Sequence, residues 1–362
     1  MWLFYVCLFN RAARLYHRCI TRGRLTTLRP IFVVGCPRSG TTLLRDLLRS
    51  HPGITIPPES HFIPRFYRAY GHPSSDYEAW RIARSILKTP RLALWQITAQ
   101  PLDFAGCRSF SEVTSRLFEI WARKEGKPRW GDKTPHYVRD IPLLLRLFPD
   151  AQVIHVIRDG RDVALSWLRT QFEPRNLYMA ARMWKEMVTQ GRRDGALLPA
   201  RSYMELSYET LLAQPEATMR GVCRFLNEPW DSAVLSLNSL DVMLGWKNRA
   251  IARVALQGNI VRDNSGKWRD GMTLRQRALV ESVAGDLLKE LGYPLEGLAL
   301  PLSRGTEILL ETDHRLRFLA SNLWKLRRSR RRRAAISRVG TTLRRLLRRS
   351  STSAVPRDIA RT

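Results

Sequence analysis

The chain has 362 residues and is 44% hydrophobic, enough for one large α/β domain or two ordinary ones with a filled core. Its net charge of +29 sits mostly at the ends. Residues 1–29 carry six Arg/Lys and no acid, residues 315–362 carry sixteen and one acid, and the remaining 39 basic and 31 acidic residues leave 30–314 at only +8. That excludes reading the folded middle as a nucleic-acid binder from bulk charge.

In chain order, the apolar run MWLFYVCLF (residues 1–9) is too short to span a bilayer. Its charges follow rather than precede it, and no small-residue cleavage site is evident, so it fits a secretory signal poorly. It lies on a membrane, packs as an extra helix, or reflects a misplaced start. Residues 30–50 predict strand, loop and helix: Ile31 to Val34 are β-branched or aromatic, and Leu43, Leu44, Leu47 and Leu48 recur at helical spacing. HPGITIPPES (51–60) is a turn-rich loop with a short extended piece, 61–125 reads as mainly helical, and RWGDKTPHYV (129–138) reads as a loop entering a helix at Pro135.

QVIHVI (152–157) is a second continuous apolar strand, of the kind a parallel sheet buries on both faces. A turn at RDGRD and the helix VALSWLRT follow, then a helix over 177–194, a third strand and turn in RSYMELSYETL, an amphipathic helix over 215–229, a polar stretch over 255–270, and a final helix closed by Gly292. Strands alternating with helices predict an α/β, doubly wound parallel sheet flanked by helices. Ligand then sits at the carboxyl ends of the strands, with the loops 35–42, 158–166 and 208–210 on one rim. The domain limits read as a basic segment 1–29, one domain over 30–305, and an Arg-rich low-complexity tail over 306–362. The five cysteines (Cys7, Cys19, Cys36, Cys107, Cys223) are odd in number and lack a C-x-x-C pair, which argues against zinc or a disulfide framework. A reducing, cytoplasmic setting is the plain expectation.

Gly35 and Gly40 bracket Cys36-Pro37-Arg38-Ser39, and Thr41-Thr42 open the helix. Backbone N–H groups at such a helix start form an anion site, and the helix dipole adds to it. A triphosphate loop would carry lysine where Thr41 stands, so a ligand with less charge at that end is expected. Arg158, at the end of the second strand, and Ser166, eight residues on, can converge on a second anion. Two separate anion sites suit a nucleotide bearing both 5′ and 3′ phosphates.

These blocks resemble the sulfotransferase family, which uses 3′-phosphoadenosine 5′-phosphosulfate (PAPS). P37-R38-S39-G40-T41-T42 resembles its 5′-phosphosulfate loop, R158 through S166 its 3′-phosphate element, and Y208-E209-T210 with the following helix its third block. The P-R-S-G-T-T form, and an acidic residue shortly after the His51-Pro52 turn, are closest to the bacterial and tyrosylprotein sulfotransferase branch. The resemblance implies the P-loop-like sulfotransferase fold, PAPS as co-substrate and no metal.

It also implies roles. Glu59 is the candidate general base, although an isolated loop glutamate is otherwise a solvated carboxylate. Lys133 is the candidate for charge on the leaving oxygen. Arg38, Pro37, Ser39, Gly40, Thr41 and Thr42 would hold the 5′ group, and Arg158 and Ser166 the 3′-phosphate. Tyr208 is either an adenine contact or a core tyrosine. Ser265 and Lys267 belong to a late loop that closes over the nucleotide in some relatives. Asp162 orients the arginines or caps a helix; His61, Trp130 and Trp184 read as packing, and His136 and His155 show no match to the histidine base of the cytosolic branch. The acceptor is a hydroxyl on a glycan, a glycolipid or a protein tyrosine. Two other readings stay open: an atypical P-loop kinase, or a non-catalytic nucleotide- or membrane-binding protein. The basic ends, whose apolar residues interleave with arginines, predict peripheral contact with anionic membrane in preference to nucleic acid.

Overall fold

The computed structural model describes residues 29–170, 174–236, 264–299 and 301–322. The apolar run 1–9, the first part of the polar stretch at 255–263 and the tail from 323 onward lie outside the described residues.

Five parallel strands form one sheet in the order β2-β3-β1-β4-β5. They are β1 (Ile31–Gly35), β2 (Ile54–Thr55), β3 (Arg129–Lys133), β4 (Gln152–Ile157) and β5 (Tyr203–Ser207). The period of two sorts β1 onto two cores. Phe32 and Val34 join Phe118, Trp130 and Val153 on one face, while Ile31 and Val33 join Leu44, Leu47, Ile154 and Val156 on the other. Both faces are covered, so the continuous apolar runs of β1 and β4 are what the sheet requires.

The stretch RWGDK, expected to be loop, is instead β3, fully buried between β2 and β1. Its polar composition hides the strand because each charged side chain finds a partner inside. Arg129 reaches Glu228, Gln152 and the Leu226 carbonyl, Asp132 is bonded by Ser60 and Thr134, and Lys133 by Glu59. Paired in this way, charges that would otherwise bar burial are tolerated.

Helix α1 (Thr41–Ser50) follows β1 and leads leftward to β2, whereas α7 (Gly160–Leu168) and α8 (Leu177–Ala196) follow β4 and lead to β5 on the opposite side. Between them come α2 (Ile63–Tyr70), α3 (Asp76–Leu87), α4 (Pro90–Ala93), α5 (Phe110–Glu125) and α6 (Ile141–Leu147). The direction of the crossovers reverses between β1 and β4, and an α/β sheet opens its ligand crevice at that point. Gly35 and Val156 are register partners, so the loops after the two strands start side by side.

After β5 come α9 (Tyr208–Ala213), α10 (Pro215–Leu226), α11 (Trp268–Gly271) and α12 (Leu274–Glu290). Ser109 with Glu112 and Thr273 with Gln276 form capping boxes that fix the starts of α5 and α12. A last helix, α13, covers 304–322 and is bonded to the head of α8 through Asn176, Arg175 and Arg182. Among the described residues no helix is long and apolar enough to cross a membrane.

Candidate active site

The turn after β1 is closed by Ser39 N–H on the Cys36 carbonyl, and it reaches α1 through two left-handed residues, Arg38 at φ 79° and Gly40 at φ 92°. At Gly40 the conformation is only half of the constraint. A Cβ there would lie 2.2 Å from the Tyr208 ring, so the loop is pressed directly onto that aromatic face. Gly40 caps α1 without a side-chain bond, so among the described residues no cap side chain takes up the first-turn N–H groups, which have no intrahelical partner. The Ser39 hydroxyl is buried and makes no hydrogen bond among the described residues.

On the β4 side, Arg158 stacks its guanidinium 4.5 Å from the centre of the Tyr208 ring. It donates to Asp162 Oδ2 (3.0 Å) and to the Asn264 carbonyl (2.8 Å), yet its buried Nε has no partner among the described residues. Asp162 also accepts from the Gly266 N–H (2.8 Å) and the Trp268 N–H (3.0 Å). One carboxylate therefore both orients Arg158 and fixes the late segment at 264–268 against α7. Asn264 completes that attachment, donating to the Tyr208 hydroxyl at 2.6 Å.

Arg38 turns towards α7, where its Nε donates to Ser166 Oγ at 2.9 Å. The loop arginine thus bridges the two anion elements and does not point to the far end of the loop. Two guanidiniums and a hydroxyl meet here, and burial together with the neighbouring Arg158 charge lowers the Arg38 pKa.

The far end is built by β3 and the 56–61 segment. Lys133, buried at the end of β3, puts Nζ 2.5 Å from Glu59 Oε1 and 3.2 Å from Thr42 Oγ1. The other Glu59 oxygen lies 2.7 Å from His61 Nε2 and 3.8 Å from Arg91. Burial pushes the Glu59 carboxyl up, but Lys133 and His61 together outweigh it and hold the group well below the usual carboxylate range. Burial lowers the Lys133 ammonium despite its pairing with Glu59. Beside His61 stands His136, with ring centroids 5.7 Å apart; its pKa is pushed down to about 4, first by burial and then by His61.

Beneath this pair Asp132 is buried with Ser60 and Thr134 as donors, and Tyr137 supports Ser60 at 2.9 Å. That network fixes the backbone on which Glu59 sits.

The structure thus draws together Arg38, Ser39, Gly40, Arg158, Ser166 and Tyr208 on one side of the loop after β1, and Thr42, Glu59 and Lys133 on the other. Pro37 and Thr41 line the turn and the first helical position. Ser265 is half-buried in the late segment, and Lys267 is exposed as the residue heading α11. Trp130 and Trp184 pack in the core, and His155 is buried on β4. His61 is not a packing residue; it touches Glu59. Arg91 also went unrecognised in the sequence, since it stands in no motif, and Asn264 was passed over within the late loop, where Ser265 and Lys267 were named instead.

A model described as "Sulfotransferase family" matches residues 30–232. The chain belongs to the sulfotransferase family. Its activity is accordingly sulfuryl transfer. Among curated proteins it is 28% identical over 272 residues to protein-tyrosine sulfotransferase A of Caenorhabditis elegans, covering 73% of this chain and 67% of that one. It is also 28% identical over 300 residues to protein-tyrosine sulfotransferase 1 of Danio rerio, covering 79% and 78%. Among solved structures, the sulfotransferase domain from the curacin biosynthetic pathway matches with a TM-score of 0.54 at 24% identity, covering 74% of this chain and 98% of that one. This likeness carries the fold: a P-loop-like sulfotransferase sheet flanked by helices.

Proposed function

We propose that the enzyme moves the sulfuryl group of PAPS to a hydroxyl of its acceptor, with Glu59 as general base. The observation that carries this reading is the contact of Lys133 with both Glu59 and Thr42, which joins the carboxylate to a loop beside two buried polar atoms without partners among the described residues, Ser39 Oγ and Arg158 Nε. Buried donors left unpaired cost free energy unless a ligand takes them up. Both atoms, with Arg38, Ser166 and the first-turn N–H groups of α1, fit a nucleotide with two separated anionic groups.

When bound, PAPS supplies a sulfuryl group on a phosphate leaving group. The chain supplies the rest. Arg158, Ser166 and Arg38 neutralise and orient the 3′-phosphate side. Ser39, Gly40, Thr41 and Thr42 cradle the 5′ side with backbone and hydroxyl donors, Pro37 setting the turn. Tyr208, buried beneath Gly40 and Arg158, sets the positions of both rather than stacking on the base, and the segment carrying Ser265 and Lys267 covers the nucleotide. At the other end Glu59 takes the proton of the acceptor hydroxyl.

Lys133 gives the two halves a common switch. It grips Glu59 and touches α1, so as negative charge grows on the departing oxygen the ammonium is drawn towards it. Glu59 then loses its strongest partner and becomes a better base when its proton arrives. The residues need no metal for any of these tasks.

The protein-tyrosine sulfotransferases among the relatives support a protein tyrosine as acceptor, ahead of glycan or glycolipid hydroxyls.

The test is calorimetric binding of 3′-phosphoadenosine 5′-phosphate without metal to wild type and Arg158→Ala, followed by transfer of radiolabelled sulfate to tyrosine peptides, glycans and lipids. Micromolar binding that Arg158→Ala abolishes in a folded protein is the expected result. A folded wild type that ignores this nucleotide but binds ATP with Mg²⁺ would overturn the reading in favour of a kinase.

A further inference from the structure

We propose that the outer face of α13, together with the arginine-rich chain that follows it, docks the enzyme on an anionic lipid surface. The inference does not depend on which acceptor is sulfated.

Helix α13 is held to the domain by one side. Asn176 Nδ2 donates to the Leu310 carbonyl (2.7 Å) and to Asp313 (2.9 Å), Arg175 N–H to His314 Nδ1 (3.1 Å), and Arg175 Nη2 to Ser321 (2.6 Å). At about 100° per residue these anchors share one side of the helix, and Ile308, Leu309, Leu316 and Leu319 fall within a ~100° arc on the other. All four are exposed, at 56%, 71%, 61% and 56%. Among the described residues nothing covers this stripe of large apolar residues, on a helix already seated by its opposite side.

Charge identifies the occupant. Residues 323–362 carry fourteen Arg/Lys and one acid, Asp358, with Leu323, Trp324, Leu326, Leu343, Leu346 and Leu347 among the arginines. On α13 itself the acids nearest the stripe are engaged: Glu311 by Arg182, and Asp313 by Asn176 and Arg317. Nucleic acid would answer the arginines and leave the leucines in water. A second copy would answer the leucines and bring two arginine-rich chains together. An anionic bilayer takes up both at once, leucines into the acyl boundary and arginines onto phosphates.

The experiment is co-sedimentation of the full chain with phosphatidylcholine vesicles, with and without phosphatidylserine. The variants are Leu309→Glu/Leu316→Glu, and a truncation after Asn322. Both replaced leucines are exposed, so the double variant keeps its fold, which a thermal melt checks. The expected result is binding to anionic vesicles only, weakened more than about tenfold by either variant and weakened by salt. Unaltered binding by the double variant shows that the arginines act without α13 and overturns the proposal. So does absence of vesicle binding, a dimer that the double variant dissociates, or tighter binding to a DNA duplex than to vesicles.

Discussion

Glu59 carries Lys133 on one oxygen and His61 on the other, and this double grip keeps it ionised while restraining its basicity. Glu59→Gln leaves Lys133 an oxygen partner but removes the proton acceptor, so kcat is expected to fall by about 10²–10⁴-fold with nucleotide affinity little changed. Steady-state kinetics beside calorimetry separates the two; an unchanged kcat removes Glu59 from the chemistry. His61→Ala takes away one of the influences that lower the carboxyl, so the Glu59 pKa rises and the acidic limb of the kcat–pH profile moves to higher pH. His61→Gln keeps a donor at that oxygen and is expected to shift the limb less. Identical limbs in all three proteins would remove His61 from any influence on the base. The sequence resemblance pointed to Glu59 and Lys133, but nothing in it pointed to His61. Its side chain reaches Glu59 from a left-handed backbone at φ 53°, which a non-glycine residue rarely adopts and residue identity does not announce.

At the scale of elements, motifs that announce a turn were legible and strands whose polarity is paid inside were not. β1 and β4 read correctly because the parallel sheet buries both their faces, and the rim they define followed from topology. β3 misread as loop because Arg129, Asp132 and Lys133 look exposed until their partners, up to 99 residues away in the chain, are known. Asp162 is the element-level link that spacing alone left open. It holds Arg158 and the N–H groups of Gly266 and Trp268 together. Asp162→Ala strands a buried guanidinium and releases the 264–268 segment. A loss of about 3 kcal/mol or more in urea unfolding is expected, with nucleotide affinity falling too. Full affinity in this variant would mean that the segment does not cover the nucleotide. Gly40→Ala presses a methyl into Tyr208 at a strained φ, and an unfolding loss of about 1–3 kcal/mol is expected.

Across the whole molecule, the uneven charge and the alternation of strands and helices were readable at once, whereas the ionisation of the interior is a property of packing. Two fully buried groups set opposite pH dependences. Burial pushes the His155 imidazole down to about 3, leaving Nδ1 2.7 Å from the Tyr203 hydroxyl and Nε2 without a partner among the described residues. Burial pushes the Asp132 carboxyl up to about 6, only partly opposed by Ser60 and Thr134. For His155 the unfolded chain binds the extra proton, so its stabilisation is present above the unfolded value of about 6.5 and is lost as pH falls towards 3. For Asp132 the folded chain binds the extra proton, so its stabilisation is present below about 4 and is lost as pH rises through 6. Each group alone changes stability by about 1.4 kcal/mol per pH unit within its window. His155→Met is therefore expected to flatten the rise of stability with pH by about that slope, and Asp132→Asn to steepen it by the same amount below pH 6. Urea unfolding across roughly pH 4 to 7 measures both. Comparing slopes rather than absolute stabilities removes the cost of repacking, which is the same at every pH. Parallel curves for wild type and both variants would show that neither group keeps its buried protonation state in the folded protein.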